Sequence, residues 1–123
     1  EYSLALKIKP DYVLAYNNRG AAKYELDDFN GAIADFTEAI KLDSKYAYAY
    51  NNRAATKCKI GDYKGVISDA SMAIKLNPEY GYAYLNRGIA KEMLRDFEGA
   101  CLDWKKAAEL GIGTGKTYSS DCE

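Results

Sequence analysis

Apolar side chains along this chain recur at intervals of three and four, interrupted by short polar breaks. Tyr16, Gly20 and Tyr24 form one stripe, and Phe29, Ala32, Phe36, Ala39 and Ile40 form the next. That spacing sets each group on one face of an amphipathic helix, so the two stripes predict a helix pair. The breaks Asp27-Asp28, Gly61-Asp62 and Arg95-Asp96 each end in aspartate, whose carboxylate accepts from the free N–H groups at a helix start. Pro10 and Pro78, with Ser44 in the equivalent place, mark a second set of breaks, because proline ends a preceding helix and tolerates the start of another. Together these signals predict helices over 13–26, 29–42, 47–60, 63–76, 81–94 and 97–110.

The pattern repeats with a period of 34. Shifting the sequence by that amount aligns Tyr16-Asn17-Asn18-Arg19 with Tyr50-Asn51-Asn52-Arg53 and then with Tyr84-Leu85-Asn86-Arg87. It also superposes Asp35, Asp69 and Asp103, and Ala39, Ala73 and Ala107. Residues 13–46 and 47–80 agree at 16 of 34 positions, so a solenoid of stacked supersecondary units is expected. The organisation read from this period is a partial unit at 1–10, three units at 13–46, 47–80 and 81–112, and a polar tail at 113–123. Gly20, Ala54 and Gly88 on the first helices, with Ala32 and Ala100 on the second, are small enough to let paired helices approach closely.

Composition narrows the function. Lys+Arg of 17 against Asp+Glu of 18 leaves a formal charge of -1, without the positive field that nucleic acid or an anionic membrane surface would require, and neither is expected as a partner. No apolar run approaches the roughly 20 residues of a membrane span. Cys58, Cys101 and Cys122 lack the even count of a disulfide framework, and the chain has no histidine to complete a mixed zinc site. Free thiols in a reducing, cytoplasmic setting are the expectation, with no metal or cofactor. Without histidine, and with Asp and Glu spread over solvated faces, no nucleophile and base pair is available, so the chain is not expected to be an enzyme.

These residues resemble the tetratricopeptide repeat: an aromatic on the first helix, glycine or alanine four residues on, then alanine, an aromatic, a further alanine and proline. They stand here as Tyr16, Gly20, Ala32, Phe36 and Ala39; Tyr50, Ala54, Val66, Ala70, Ala73 and Pro78; and Tyr84, Gly88, Ala100, Trp104 and Ala107. The resemblance implies an all-α fold, a right-handed α-solenoid of stacked antiparallel helix pairs, and places the chain among bacterial-type Asn-Arg-Gly variant repeats. It also implies that residues 1–10 are the second helix of a preceding unit, so that the chain reads as a segment of a longer array. A departure recurs in every unit: Arg19, Arg53 and Arg87 replace the usual leucine, and Lys23, Lys57 and Lys91 the usual tyrosine. A guanidinium turned toward a helix interface is costly unpaired, so each Arg is expected to meet Asp35, Asp69 or Asp103 in a structural ion pair.

In the family the first helices line a concave groove that holds a protein or peptide, and the function implied is a scaffold or adaptor. The identity of the partner is open. Asn18, Asn52 and Asn86 fall at one position of that lining, with Asn17 and Asn51 beside them, and amides can either satisfy an extended peptide or bond within the array. Tyr48 and Tyr82 are the tyrosines expected to make contact, since a phenol gives area at small entropic cost. Some members bind acidic chaperone tails through cations in the groove. Here those positions hold Asn17, Ala21, Asn52, Tyr82 and Asn86, of which only Asn52 fits. The alternative function is a structural array that spaces domains or self-associates through uncapped terminal helices, the tail being too short to cover the last one. Gly111–Thr117 looks like a nucleotide phosphate loop, but Leu110 stands where its first glycine belongs, and a helix-terminating tail is expected instead.

Overall fold

The computed structural model describes residues 9–122, and the first eight residues of the expected partial unit lie outside the described residues. Seven α-helices follow one another: α1 (Lys9–Glu25), α2 (Phe29–Leu42), α3 (Ala47–Lys59), α4 (Tyr63–Leu76), α5 (Gly81–Met93), α6 (Phe97–Glu109) and α7 (Gly113–Ser119), with no strand among the described residues. Each first helix packs on the second helix of its own pair, each second helix on the next first helix, and α7 on α6. The result is an α-solenoid of stacked antiparallel pairs. Since α1 also touches α3, and α3 touches α5, the first helices form a continuous face.

The turn inside each pair is built the same way three times. Asp27, Gly61 and Arg95 adopt left-handed backbone, with φ of 63°, 80° and 70°. The next residue caps the second helix, with Asp28, Asp62 and Asp96 accepting from the N–H of Gly31, Gly65 and Gly99. The reversal therefore needs one residue that tolerates positive φ and one short acceptor.

Packing within pairs shows size compensation. A Cβ on Gly20 would lie 2.7 Å from the Phe36 ring, and one on Gly88 would lie 2.6 Å from the Trp104 ring. Where the second helix carries Ala70 instead of an aromatic, the first helix carries Ala54, and both are fully buried. The Trp104 Nε1 is buried with no acceptor among the described residues, so shape rather than hydrogen bonding holds this ring.

Three expectations change here. Pro10 lies in the first turn of α1 rather than between units, a position where a missing N–H is tolerated. Residues 113–119 form a helix in place of an unstructured tail, and Gly115 is buried where a Cβ would meet Ala107 and the backbone of Ala108. Cys101 and Cys122, expected as free thiols, are joined in a disulfide that ties the C-terminal segment to α6. One face of the last second helix is thus covered, with Trp104 7% exposed and Ala107 fully buried, while Phe97 and Leu102 of the same helix stay 53% and 65% exposed.

Candidate functional site

Between the helices of each pair, charge is neutralised at short range. Arg53 Nε and Nη2 each donate to the Asp69 carboxylate at 2.8 Å, and Lys57 Nζ reaches the same carboxylate at 3.0 Å. Arg19 with Lys23 on Asp35, and Arg87 with Lys91 on Asp103, repeat the arrangement at 2.7–3.2 Å. Asp35, Asp69 and Asp103 are all buried, so two cations answer each of them. The hydrogen bonds from Arg19 hold the Asp35 carboxyl below its ordinary range against the opposing effect of burial, and Asp69 in turn raises Arg53. Each guanidinium also lies over the tyrosine three residues before it, 5.3–5.9 Å from the ring centroids of Tyr16, Tyr50 and Tyr84.

Arginine also links neighbouring pairs. Arg53 Nη1 donates to Thr37 Oγ1 at 3.1 Å, and Arg87 Nη1 to Ser71 Oγ at 3.2 Å, so each reaches back to the second helix of the preceding unit. Sequence reasoning missed this pair of contacts. The available signal was the hydroxyl that recurs at 37 and 71, one period apart.

The asparagines are placed by an offset of 35, one residue longer than the period. Asn52 Nδ2 donates to Asn17 Oδ1 at 3.0 Å, and Asn86 Nδ2 to Asn51 Oδ1 at 2.9 Å. Asn17 and Asn51 are buried by this, at 8% and 7% exposure, while Asn52 and Asn86 remain half-buried and Asn18 is exposed. The five amides therefore play three different parts, and the aligned column is not a set of equivalent rungs. Since the Asn52 and Asn86 nitrogens are engaged within the array, their carbonyl oxygens remain as acceptors. Leu85 stands where a third acceptor would be and packs into the core instead.

Tyr48 and Tyr82 are 58% and 56% exposed, and Leu14 at the same position of the first unit is 48% exposed. Tyr48 is steadied by edge contacts with Tyr46 and Tyr80, each at 5.6 Å. Burial pushes the Tyr80 phenol up, with an opposing hydrogen bond from Asn51. A hollow of about 250 Å³ opens farther along this face, between Ala21, Tyr24 and Glu25 of α1 and Asn52 and Ala55 of α3, with Phe36 at its floor. Cys58, the free cysteine, is half-buried, and burial raises its thiol away from reactivity.

Several features lie away from chemistry. Among the described residues no group of His, Cys, Asp and Glu could hold a metal ion, and no helix is long and apolar enough to cross a membrane. The phosphate-loop look-alike ends inside α7, which follows a helix rather than a strand.

The fold has counterparts among known proteins. The profile of the tetratricopeptide repeat matches residues 13–46. The TPR domain of Arabidopsis OM64 is 30% identical, with 89% of this chain and 92% of that chain covered, at a TM-score of 0.86. The second TPR domain of human RPAP3, solved in complex with the HSP70 peptide SGPTIEEVD, is 26% identical over 91% of this chain and 95% of its own, at 0.85. The first TPR of Spaghetti (RPAP3), bound to the HSP90 peptide SRMEEVD, is similar in fold, at 23% identity over 89% and 88% and a TM-score of 0.85. No curated protein matches the chain significantly.

Proposed function

Because this chain belongs to the tetratricopeptide repeat family, we propose that it is a protein–protein interaction module, a scaffold or adaptor segment that holds a peptide along the face of its first helices without catalysing a reaction. The observation that carries this reading is the row of exposed side chains Leu14, Tyr48 and Tyr82 beside the Asn52 and Asn86 carbonyls. Rings supply contact area, and the carbonyls accept from an extended backbone, so one surface offers both adhesion and register. Asn18 belongs to the same lining, whereas Asn17 and Asn51 act behind it by orienting Asn52 and Asn86. Arg19, Arg53 and Arg87 with Asp35, Asp69 and Asp103 are structural in this reading, their charges spent between helices.

The acidic peptide of the human RPAP3 complex is not carried over. The positions that would need cations hold Asn17, Tyr82 and Asn86, and a peptide rich in carboxylates finds no donor of matching charge there. Asn18-Arg19-Gly20 and Asn86-Arg87-Gly88 support assignment to the Asn-Arg-Gly variant of the repeat. A cytoplasmic setting is the reading from the sequence, and the Cys101–Cys122 bond is the observation against it, since disulfides persist in oxidising compartments. Trapping thiols by alkylation in cells, followed by mass spectrometry, decides between the two.

A random peptide library selected on the folded chain tests the main reading. Tyr48→Ser with Tyr82→Ser is expected to abolish capture while leaving the melting temperature within a few degrees, because both rings are exposed. Full capture by that variant would contradict it.

A further inference from the structure

A second hollow, of about 500 Å³, opens where α5 meets the C-terminal segment. It continues the row of Tyr82 and Asn86, because Ile89 and Glu92 follow on the same side of α5 at spacings of three. Its walls are aromatic. Trp104 and Tyr118 lie 5.2 Å apart between ring centroids, and Phe97 is 53% exposed at the rim. Glu92 and Asp121 supply two exposed carboxylates, neither has a cation within ion-pair distance among the described residues, and no Lys or Arg lines the hollow. The disulfide between Cys101 and Cys122 forms part of the wall, and Asp121, next to Cys122 in sequence, lines the same hollow as Glu92.

Ring faces carry negative electrostatic potential, and two unneutralised carboxylates add to it. Both features attract a cation and repel an anion. The chain uses the same pairing on itself, with Arg95 placed 5.8 Å from the Phe97 ring centroid and Arg19, Arg53 and Arg87 over tyrosines. A planar guanidinium suits this hollow better than an ammonium because it can stack on a ring while its N–H groups reach two carboxylates.

We propose that this hollow is a subsite for an arginine side chain of the bound peptide, so that the partner is a basic segment rather than an acidic chain terminus. The proposal rests on the peptide-holding reading above. Trp104 is the only tryptophan, so its emission reports occupancy of the hollow directly. The experiment titrates the disulfide-bonded chain with three N-acetylated, C-amidated alanine–serine nonapeptides that carry arginine, glutamine or glutamate at the centre and are otherwise identical. The arginine peptide is expected to bind about tenfold more tightly than the glutamine peptide, the scale of one exposed cation–ring contact with one exposed ion pair, and the glutamate peptide most weakly. Glu92→Gln with Asp121→Asn should bring the arginine peptide to the glutamine level with the helical melting curve unchanged. Equal binding of the arginine and glutamine peptides, weakened for both by Tyr48→Ser with Tyr82→Ser, would overturn the subsite and leave the groove standing. Binding by none of the three would overturn both, and retention of the arginine preference by the double variant would overturn the roles of Glu92 and Asp121.

Discussion

Replacing Asp69 by alanine removes the anion that two cations share. The Asp69 side chain is 5% exposed, and those of Arg53 and Lys57 are 18% and 19% exposed, so the variant leaves two largely buried positive groups facing each other. Breaking a buried pair by deleting one partner costs about 3–5 kcal/mol, and the residual hydration of the cations places this case near about 3 kcal/mol. For a chain of this length that corresponds to a fall in melting temperature of roughly 10 °C. Asp35→Ala is the internal control. It has the same hydrogen-bond geometry, but its Arg19 partner is 61% exposed and Lys23 is 32% exposed, so water replaces much of what is lost. Thermal unfolding followed by circular dichroism should show a shift for Asp35→Ala less than half that for Asp69→Ala. Equal shifts, or an Asp69→Ala loss below about 1 kcal/mol, would refute the claim that burial decides the strength of these repeated pairs. Peptide binding should survive both substitutions, since the carboxylates lie between helices rather than on the exposed face.

Gly88→Ala forces a methyl group to 2.6 Å from the Trp104 ring and should destabilise by about 1–3 kcal/mol in a denaturant titration, whereas a cavity at that place would predict stabilisation. The lowered Asp35 carboxyl contributes stability that is present above its unfolded value near pH 4 and is lost as the pH falls through its folded value; carbon-detected NMR titration should find its midpoint below 3.8. Reduction of the Cys101–Cys122 bond, which closes a loop with a sequence separation of 21, should lower stability by up to about 3 kcal/mol in scans with and without reductant, and Cys101→Ser with Cys122→Ser should make the reductant ineffective.

The helices were legible because their limits are set locally. Asp28, Asp62 and Asp96 cap where the residue pattern breaks, and the second helices begin at 29, 63 and 97. Pro10 was read as the break between units, with the next helix starting at 13, whereas it sits inside the first turn of α1, where its missing N–H is tolerated. The C-terminal helix was missed for a different reason. Gly113–Ser119 has little apolar periodicity, and its order comes from tertiary contact of Gly115 and Tyr118 with α6. A signal did exist: a shift of 34 carries Gly81 and Tyr84 onto Gly115 and Tyr118, so the segment begins as a further unit begins. At the candidate site, aligned columns identified Asn18, Asn52 and Asn86 but not the diagonal pairing, because an offset of 35 joins different columns in neighbouring units. The disulfide could not be read from spacing alone, since it depends on α7 folding back onto α6.

Backbone amide NMR shifts on addition of a library-selected peptide test most directly whether the first helices hold a partner. The largest changes should cluster at Leu14, Asn18, Tyr48, Asn52, Tyr82 and Asn86, with Lys64, Met72 and Lys75 on α4 unmoved. Changes centred on the outward residues of α2, α4 and α6, with the tyrosine and asparagine row silent, would contradict it.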